Sequence, residues 1–216
     1  MNFKVIFELD GRGVFYDPFE PPHLDDILHS IMLMLHGMTH DLQRDEPPDE
    51  VGLPLMQSMV NGHKIWNASA LFPEGTSFET LEYFRKKYPL DRLDLTTGSV
   101  NLKAGKDREY NQPLPLLCVP RLIAYASGNR KEVKRLLKKH IVAVGKHRAK
   151  GKGRIVNIEC EQTPENWSCI KDGKAQRYLP QEDGLRLCRV RPPYWNNVGK
   201  VACCEVGDPY KIKFAS

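Results

Sequence analysis

Phe3, Val5, Phe7 and Leu9 alternate with Lys4 and Glu8, a period of two that predicts a half-buried first strand. Asp10-Gly11-Arg12-Gly13 ends it, and a loop carrying Phe15, Tyr16, Phe19 and three prolines follows. Over residues 24–38, Leu24, Ile27, Leu28, Ile31, Met34, Leu35 and Met38 recur at helical spacing, so a first helix with one apolar face is expected. The acidic, proline-rich stretch 41–54 reads as a surface loop and 64–71 as a strand. Thr76-x-x-Glu79 has the form of a capping box and predicts a helix carrying Phe78, Leu81, Phe84 or Arg85, and Tyr88. Residues 93–102 and 116–126 read as strands joined by a charged, Gly-containing loop. Asn129-x-x-Glu132 caps a second helix with the buried stripe Val133, Leu136, Leu137, Ile141 and Val144, and a glycine-rich loop then leads to a strand at 154–160.

The order strand, helix, strands, helix, strand predicts a ferredoxin-like (RRM-like) α+β sheet with its helices on one face. The whole chain, 1–216, is expected to form a single domain with an insertion at about 41–113 and the glycine-rich loop before the last core strand. At 41% hydrophobic and 27% charged residues the chain is too apolar for a disordered one. Its longest apolar run, 31–35, is far short of the roughly 20 residues that cross a bilayer. The N-terminus lacks the pattern of a secretory signal, so residence in the cytoplasm is expected, with no membrane partner. There the six cysteines, Cys118, Cys160, Cys169, Cys188, Cys203 and Cys204, are read as buried small residues; they contain no Cys-x-x-Cys pair. The Asn67 and Asn166 glycosylation patterns carry no weight in that compartment.

Net charge is a modest +5, but residues 121–154 hold twelve Lys and Arg against the single acid Glu132. Such asymmetry points to a surface that meets a polyanion, the alternative being a solvated helix face. The cations Arg135, Lys138 and Lys139 lie on the second helix, mostly off its apolar stripe. Beyond it, Gly145, Gly151 and Gly153 are interleaved with Lys146, His147, Arg148, Lys150, Lys152 and Arg154. Glycines permit positive φ and close approach, while exposed N–H groups and cations suit phosphate oxygens, so the segment reads as a nucleic-acid backbone clamp. It lacks the Gly-Lys-Ser/Thr ending of a Walker loop and follows a helix, which also excludes a dinucleotide fingerprint.

A glycine-rich loop of this form, between the last helix and last strand of a ferredoxin-like domain, resembles the RAMP superfamily of CRISPR-associated RNA-binding proteins; residues 144–155 carry the match. Further features resemble one branch, the subunit of type IV (type IV-A) CRISPR effector complexes that holds the 5′ handle of the guide RNA. They are Phe15-Tyr16-Asp17-Pro18-Phe19-Glu20-Pro21, His23-Leu24-Asp25, Ala68-Ser69-Ala70-Leu71-Phe72 and Arg191-Pro192-Pro193-Tyr194-Trp195. The resemblance implies a non-catalytic, cofactor-free assembly subunit of antiviral defence. It would grip the crRNA 5′ handle, contact backbone and large subunits, and sit near where target DNA is first recognised. Gly145, Gly151 and Gly153 match the family's glycines; the acidic stretch 41–50 and the extended region 57–110 depart from its pattern.

Phe15 and Tyr16 follow the first strand, where they either offer ring faces to unstacked bases or tuck onto the core. His29, His36 and His40 fall on one side of the first helix; a zinc pair is conceivable there, but they are expected on the solvent face with no metal bound. His147, inside the basic loop, opens a rival reading as a metal-independent endoribonuclease that processes repeat RNA, with His23 or Tyr16 as the second group. Arg189-x-Arg191-Pro-Pro-Tyr194-Trp195 joins cations to flat rings. It is expected to be extended and to be an RNA contact, an interface anchor or a cover over the sheet.

Overall fold

The computed structural model describes residues 1–38, 45–48, 50–87, 103, 108–146 and 148–210. Strand β1 (Asn2–Leu9) buries Phe3, Val5, Phe7 and Leu9 on one face, as its alternation predicts. It is the central strand of an antiparallel sheet, flanked by β7 (Arg121–Ser127) and β8 (Ile155–Gln162), with the short β4 (Phe72–Glu74) outside β7. Helices α1 (Leu24–Leu35) and α2 (Arg130–His140) cover one face of this sheet. Leu24, Leu28 and Ile31 of α1 and Val133, Leu136 and Leu137 of α2 pack there with the apolar residues of β1, β7 and β8. At about 1.5 to 3 kcal/mol for each fully buried large side chain, this layer holds the domain together. The other face carries a small cluster of Ile6, Ile123 and Tyr125 under Phe72 and Trp167. The chain is thus mixed α/β with mostly antiparallel sheets, and its core elements follow the order strand, helix, strand, strand, helix, strand.

Asn129 caps α2 as predicted, its side chain accepting the Glu132 N–H at 3.2 Å. Three readings from sequence are corrected. The helix expected from Thr76 is instead β5 (Phe78–Lys86), paired along its full length with β6 (Tyr110–Cys118). Its apolar spacing fits a helix, but long-range pairing of a β-prone Phe-Glu-Thr-Leu-Glu-Tyr-Phe segment prevails. The strand expected over 116–126 is two, β6 and β7, interrupted where Pro120 turns its carbonyl to the Leu9 N–H. Helix α1 ends at Leu35, and Met34, Leu35 and Met38 are exposed, so the apolar stripe is buried only in its first half. Residues 93–102, His40 and His147 lie outside the described residues.

Between α1 and β4 a hairpin, β2 (Gln57–Val60) and β3 (His63–Trp66), turns through Asn61 and Gly62, both with positive φ. It packs on a C-terminal unit made of β9 (Ile170–Lys171) with β10 (Lys174–Ala175), and of β11 (Leu179–Pro180), β12 (Arg186–Cys188) and β13 (Val201–Cys204) in the order β11-β13-β12. Val60, Ile65, Tyr178, Leu179, Val190 and Tyr210 form this second core. All six cysteines are free; Cys188, Cys203 and Cys204 are buried and the other three half-buried, short of the full burial expected of them.

Candidate nucleic-acid interface

The segment from Val144 to Arg154 closes on itself. Val144 N–H donates to Gly153 O at 2.9 Å, Ile155 N–H to Val142 O at 3.0 Å, and Ala143 bridges Arg154. The N-terminal loop braces the base of this lasso: Gly153 N–H donates to Gly13 O at 2.8 Å and Lys146 N–H to Phe15 O at 3.1 Å. Gly145, Gly151 and Gly153 all have positive φ, at 88°, 75° and 66°. A Cβ at 153 would lie 1.9 Å from Val144 O, and one at 145 would lie 2.5 Å from Val14 Cγ2. Only at Gly151, at the outer end, is there open space. Two of the glycines therefore shut the loop, and the third shapes its tip beside a 3₁₀ turn at Arg148–Lys150.

The predicted cations divide into those engaged by a neighbouring side chain and those without an ion-pair partner among the described residues. Lys146 Nζ is 3.2 Å from Asp17 and 3.4 Å from Glu20, and Lys152 Nζ is 2.6 Å from Glu82 of β5. Burial works against the Asp17 charge, yet the Lys146 ammonium and the Phe19 and Glu20 N–H groups hold its pKa below the usual carboxylate range. Lys150 Nζ stands 2.9 Å above the Phe84 ring, which lies 5.5 Å from Phe15. On α2, Arg135 forms a two-pronged pair with Glu132 at 2.7 and 2.8 Å, and Lys138 reaches Asn157 at 3.5 Å. Arg148, Arg154, Lys138 and Lys139 are exposed and make no ion pair with another described residue. Arg148 lies close enough to half-buried Asp26 to act on it. Burial and the neighbouring Asp25 push the Asp26 pKa up to about 7, against the pull of Arg148.

The aromatic and histidine readings change most. Phe15 is 4% exposed, so it presents no face to a base; it belongs to the packing beneath the loop. Tyr16 donates its hydroxyl to Leu71 O at 2.9 Å, and burial, then Asp17, pushes its pKa up to about 12. The ring this turn does expose is Phe19, 71% accessible, whose carbonyl accepts from Tyr178 and Arg186. His29 is buried, against the expectation that it faces solvent, because the N-terminal half of α1 is covered on more than its apolar stripe. Among the described residues no group of three metal-binding side chains occurs. His23 is also buried, its ring 4.4 Å from that of Tyr194 and 4.9 Å from that of Tyr178. Of the two groups named beside His147, His23 is thus enclosed by rings and the Tyr16 hydroxyl is engaged by Leu71 O.

The C-terminal motif serves a contact that sequence reading missed. Arg177, fully buried, donates to Ala68 O at 3.0 Å, Val190 O at 2.7 Å, Tyr194 Oη at 2.6 Å and Asp25 Oδ2 at 3.1 Å, as well as to Trp66 O. Tyr194 in turn donates to Asp25 at 2.9 Å. Asp25 of α1, the chain from the end of β3 at Trp66 to Ala68 and the Tyr194 segment thus meet on one guanidinium, which joins the two cores. Burial alone would neutralise the Asp25 carboxyl; Arg177 and Tyr194 oppose that. The Pro192-Pro193 bond is cis, and residues 190–195 run through bends and a turn where an extended segment is expected. Arg191 pairs with Glu50 at 3.0 Å and its guanidinium lies 5.6 Å from the centre of the Trp66 ring. A lone arginine gives no pattern by which Arg177 could be found; β5 could have been found from its aromatic and β-branched content.

No match was found among curated proteins. The family model for the CRISPR type IV associated protein Csf3 matches residues 92–205, just over half the chain, and takes in β6, β7, α2, the basic loop, β8 and the Arg177 segment. With its closed basic loop inside that span, the chain belongs to the Csf3 family of CRISPR type IV associated proteins.

Proposed function

We propose that this chain is a non-catalytic, RNA-binding structural subunit of a type IV CRISPR ribonucleoprotein. It holds the 5′ handle of the guide RNA on the lasso Gly145–Arg154 and the basic face of α2, and contacts backbone and large subunits near the point of target-DNA recognition. The observation that carries this reading is the lasso itself. Glycines that tolerate no side chain at 145 and 153 close a loop whose outer end presents Arg148, Lys150 and Gly151 to solvent. The strand order β8-β1-β7-β4, with both helices on one face, supports a ferredoxin-like RAMP domain. The β5–β6 hairpin and the C-terminal unit are its elaborations.

The test is a pair of native and denaturing gels in EDTA with 5′-labelled repeat-derived guide RNA, beside a variant with Lys146, Arg148, Lys150 and Lys152 changed to alanine. A shift without a new band, lost in the variant, is expected. If about five phosphates are neutralised, a four-fold rise in salt weakens binding roughly hundred-fold. A flat salt response refutes the clamp, and a shorter product that disappears in His147→Ala makes the protein an endoribonuclease.

A further inference from the structure

The two outer edges of the β5–β6 hairpin are finished differently. Val14 N–H donates to Leu117 O at 2.8 Å and Leu117 N–H donates to Val14 O at 2.9 Å, so Leu117 turns its backbone groups away from β5. Leu117 pairs with Glu79, and in an antiparallel ladder a residue whose N–H and C=O point outward faces one that does the same. The regular register carries this phase along the hairpin through Leu81↔Pro115, Tyr83↔Pro113 and Arg85↔Asn111. On β6 the outward donors are then absent at Pro113 and Pro115, a common way of blunting an edge. On β5 the outward N–H and C=O of Glu79, Leu81, Tyr83 and Arg85 have no backbone partner among the described residues.

That edge is complementary to itself. Run antiparallel to a second copy with Glu82 at the centre, it sets Glu79 opposite Arg85 and Leu81 opposite Tyr83, twice over by symmetry. The facing pairs join opposite charge to opposite charge and apolar to apolar, and Leu81 and Tyr83 are 56% and 48% exposed. The two Glu82 carboxylates would meet across the axis, but each is held by its own Lys152 at 2.6 Å, so they meet neutralised.

From this geometry we infer that the β5 edge pairs with the same edge of a second copy, making a two-fold, four-stranded sheet β6-β5-β5-β6. The contact is isologous and closed, so it yields a dimer and not a fibre. It does not require RNA binding: none of the four pairing residues belongs to the lasso, whose Lys152 touches this edge only at Glu82.

The experiment is sedimentation velocity of the whole chain without RNA, from about 1 to about 100 µM, the range suited to a small interface. Wild-type protein is expected to pass from monomer to dimer. Glu79→Arg and Arg85→Glu each replace two attractive pairs by two repulsive ones and should weaken the dimer about ten-fold or more. The double variant Glu79→Arg/Arg85→Glu restores opposite charges in this register only and should dimerise again. A wild type that stays monomeric throughout, a dimer indifferent to Glu79→Arg, or a double variant that remains monomeric would each overturn the inference.

Discussion

Replacing Gly153 and Gly151 separately by alanine separates the closing of the lasso from its shape. At Gly151 φ is 75° and an added Cβ meets nothing within 4 Å, so the change costs only left-handed backbone strain, about 1 kcal/mol net. At Gly153 the same strain applies, and the Cβ would also stand 1.9 Å from Val144 O. To clear it the Val144 carbonyl must retreat by about 1 Å, judged from the 3.0 Å floor of real Cβ contacts. That movement spoils the bonds Val144 N–H to Gly153 O and Gly153 N–H to Gly13 O, each worth about 1 kcal/mol. The sum is about 3 kcal/mol. For a chain of this size the midpoint of thermal unfolding should drop by about 2 to 4 °C for Gly151→Ala and about 6 to 12 °C for Gly153→Ala. Circular dichroism melts at matched concentration read this directly. Equal drops for the two variants would refute the view that Gly153 closes the loop by close backbone approach.

Further outcomes follow from the buried charges. Arg177→Met leaves Asp25 uncompensated inside the protein and should cost about 3 to 5 kcal/mol in urea unfolding, whereas Tyr194→Phe, which removes one hydroxyl from the same group, should cost about 1 to 3 kcal/mol. Burial, then the charges of Arg177 and Arg186, holds the His23 pKa well below its ordinary value. The unfolded chain therefore takes up the proton first, and stability should fall as pH drops below about 6.5; His23→Phe should flatten that decline, and an unchanged acid loss would discard the assignment. Asp26, raised to about 7 by burial and Asp25, is ionised above that pH and competes with phosphate for Arg148. On the proposed function, RNA should bind more tightly at pH 6 than at pH 8 in wild-type protein, with the difference removed in Asp26→Asn; a fluorescence-anisotropy titration at the two pH values checks it.

What could be read from the amino-acid order was what depends on near neighbours. The alternation of β1, the Asn129 cap of α2 and the spacing of Gly145, Gly151 and Gly153 each express a backbone preference over a few residues, and each appears in the fold as expected; the apolar stripe of α2 does so only for Val133, Leu136 and Leu137, since the helix ends at His140 before Ile141 and Val144. The density of cations along α2 and the lasso is likewise a property of local sequence. Pairings across long separations were not legible. Whether residues 78–86 become helix or strand is decided by the 110–118 segment that meets them, because their apolar spacing satisfies both periods. Which cations are paired depends on acids far along the chain: Asp17 and Glu20 engage Lys146, and Glu82 engages Lys152, while Arg148 and Arg154 make no ion pair with another described residue. Burial of Phe15 and His29, and the meeting of Arg177 with Asp25 and Tyr194, depend on which surfaces the two cores press together. Sequence thus determined the local conformations and the sign of the charge. Tertiary structure alone decided which groups face solvent, since exposure and ion pairing are set by packing between segments that carry no record of one another's position.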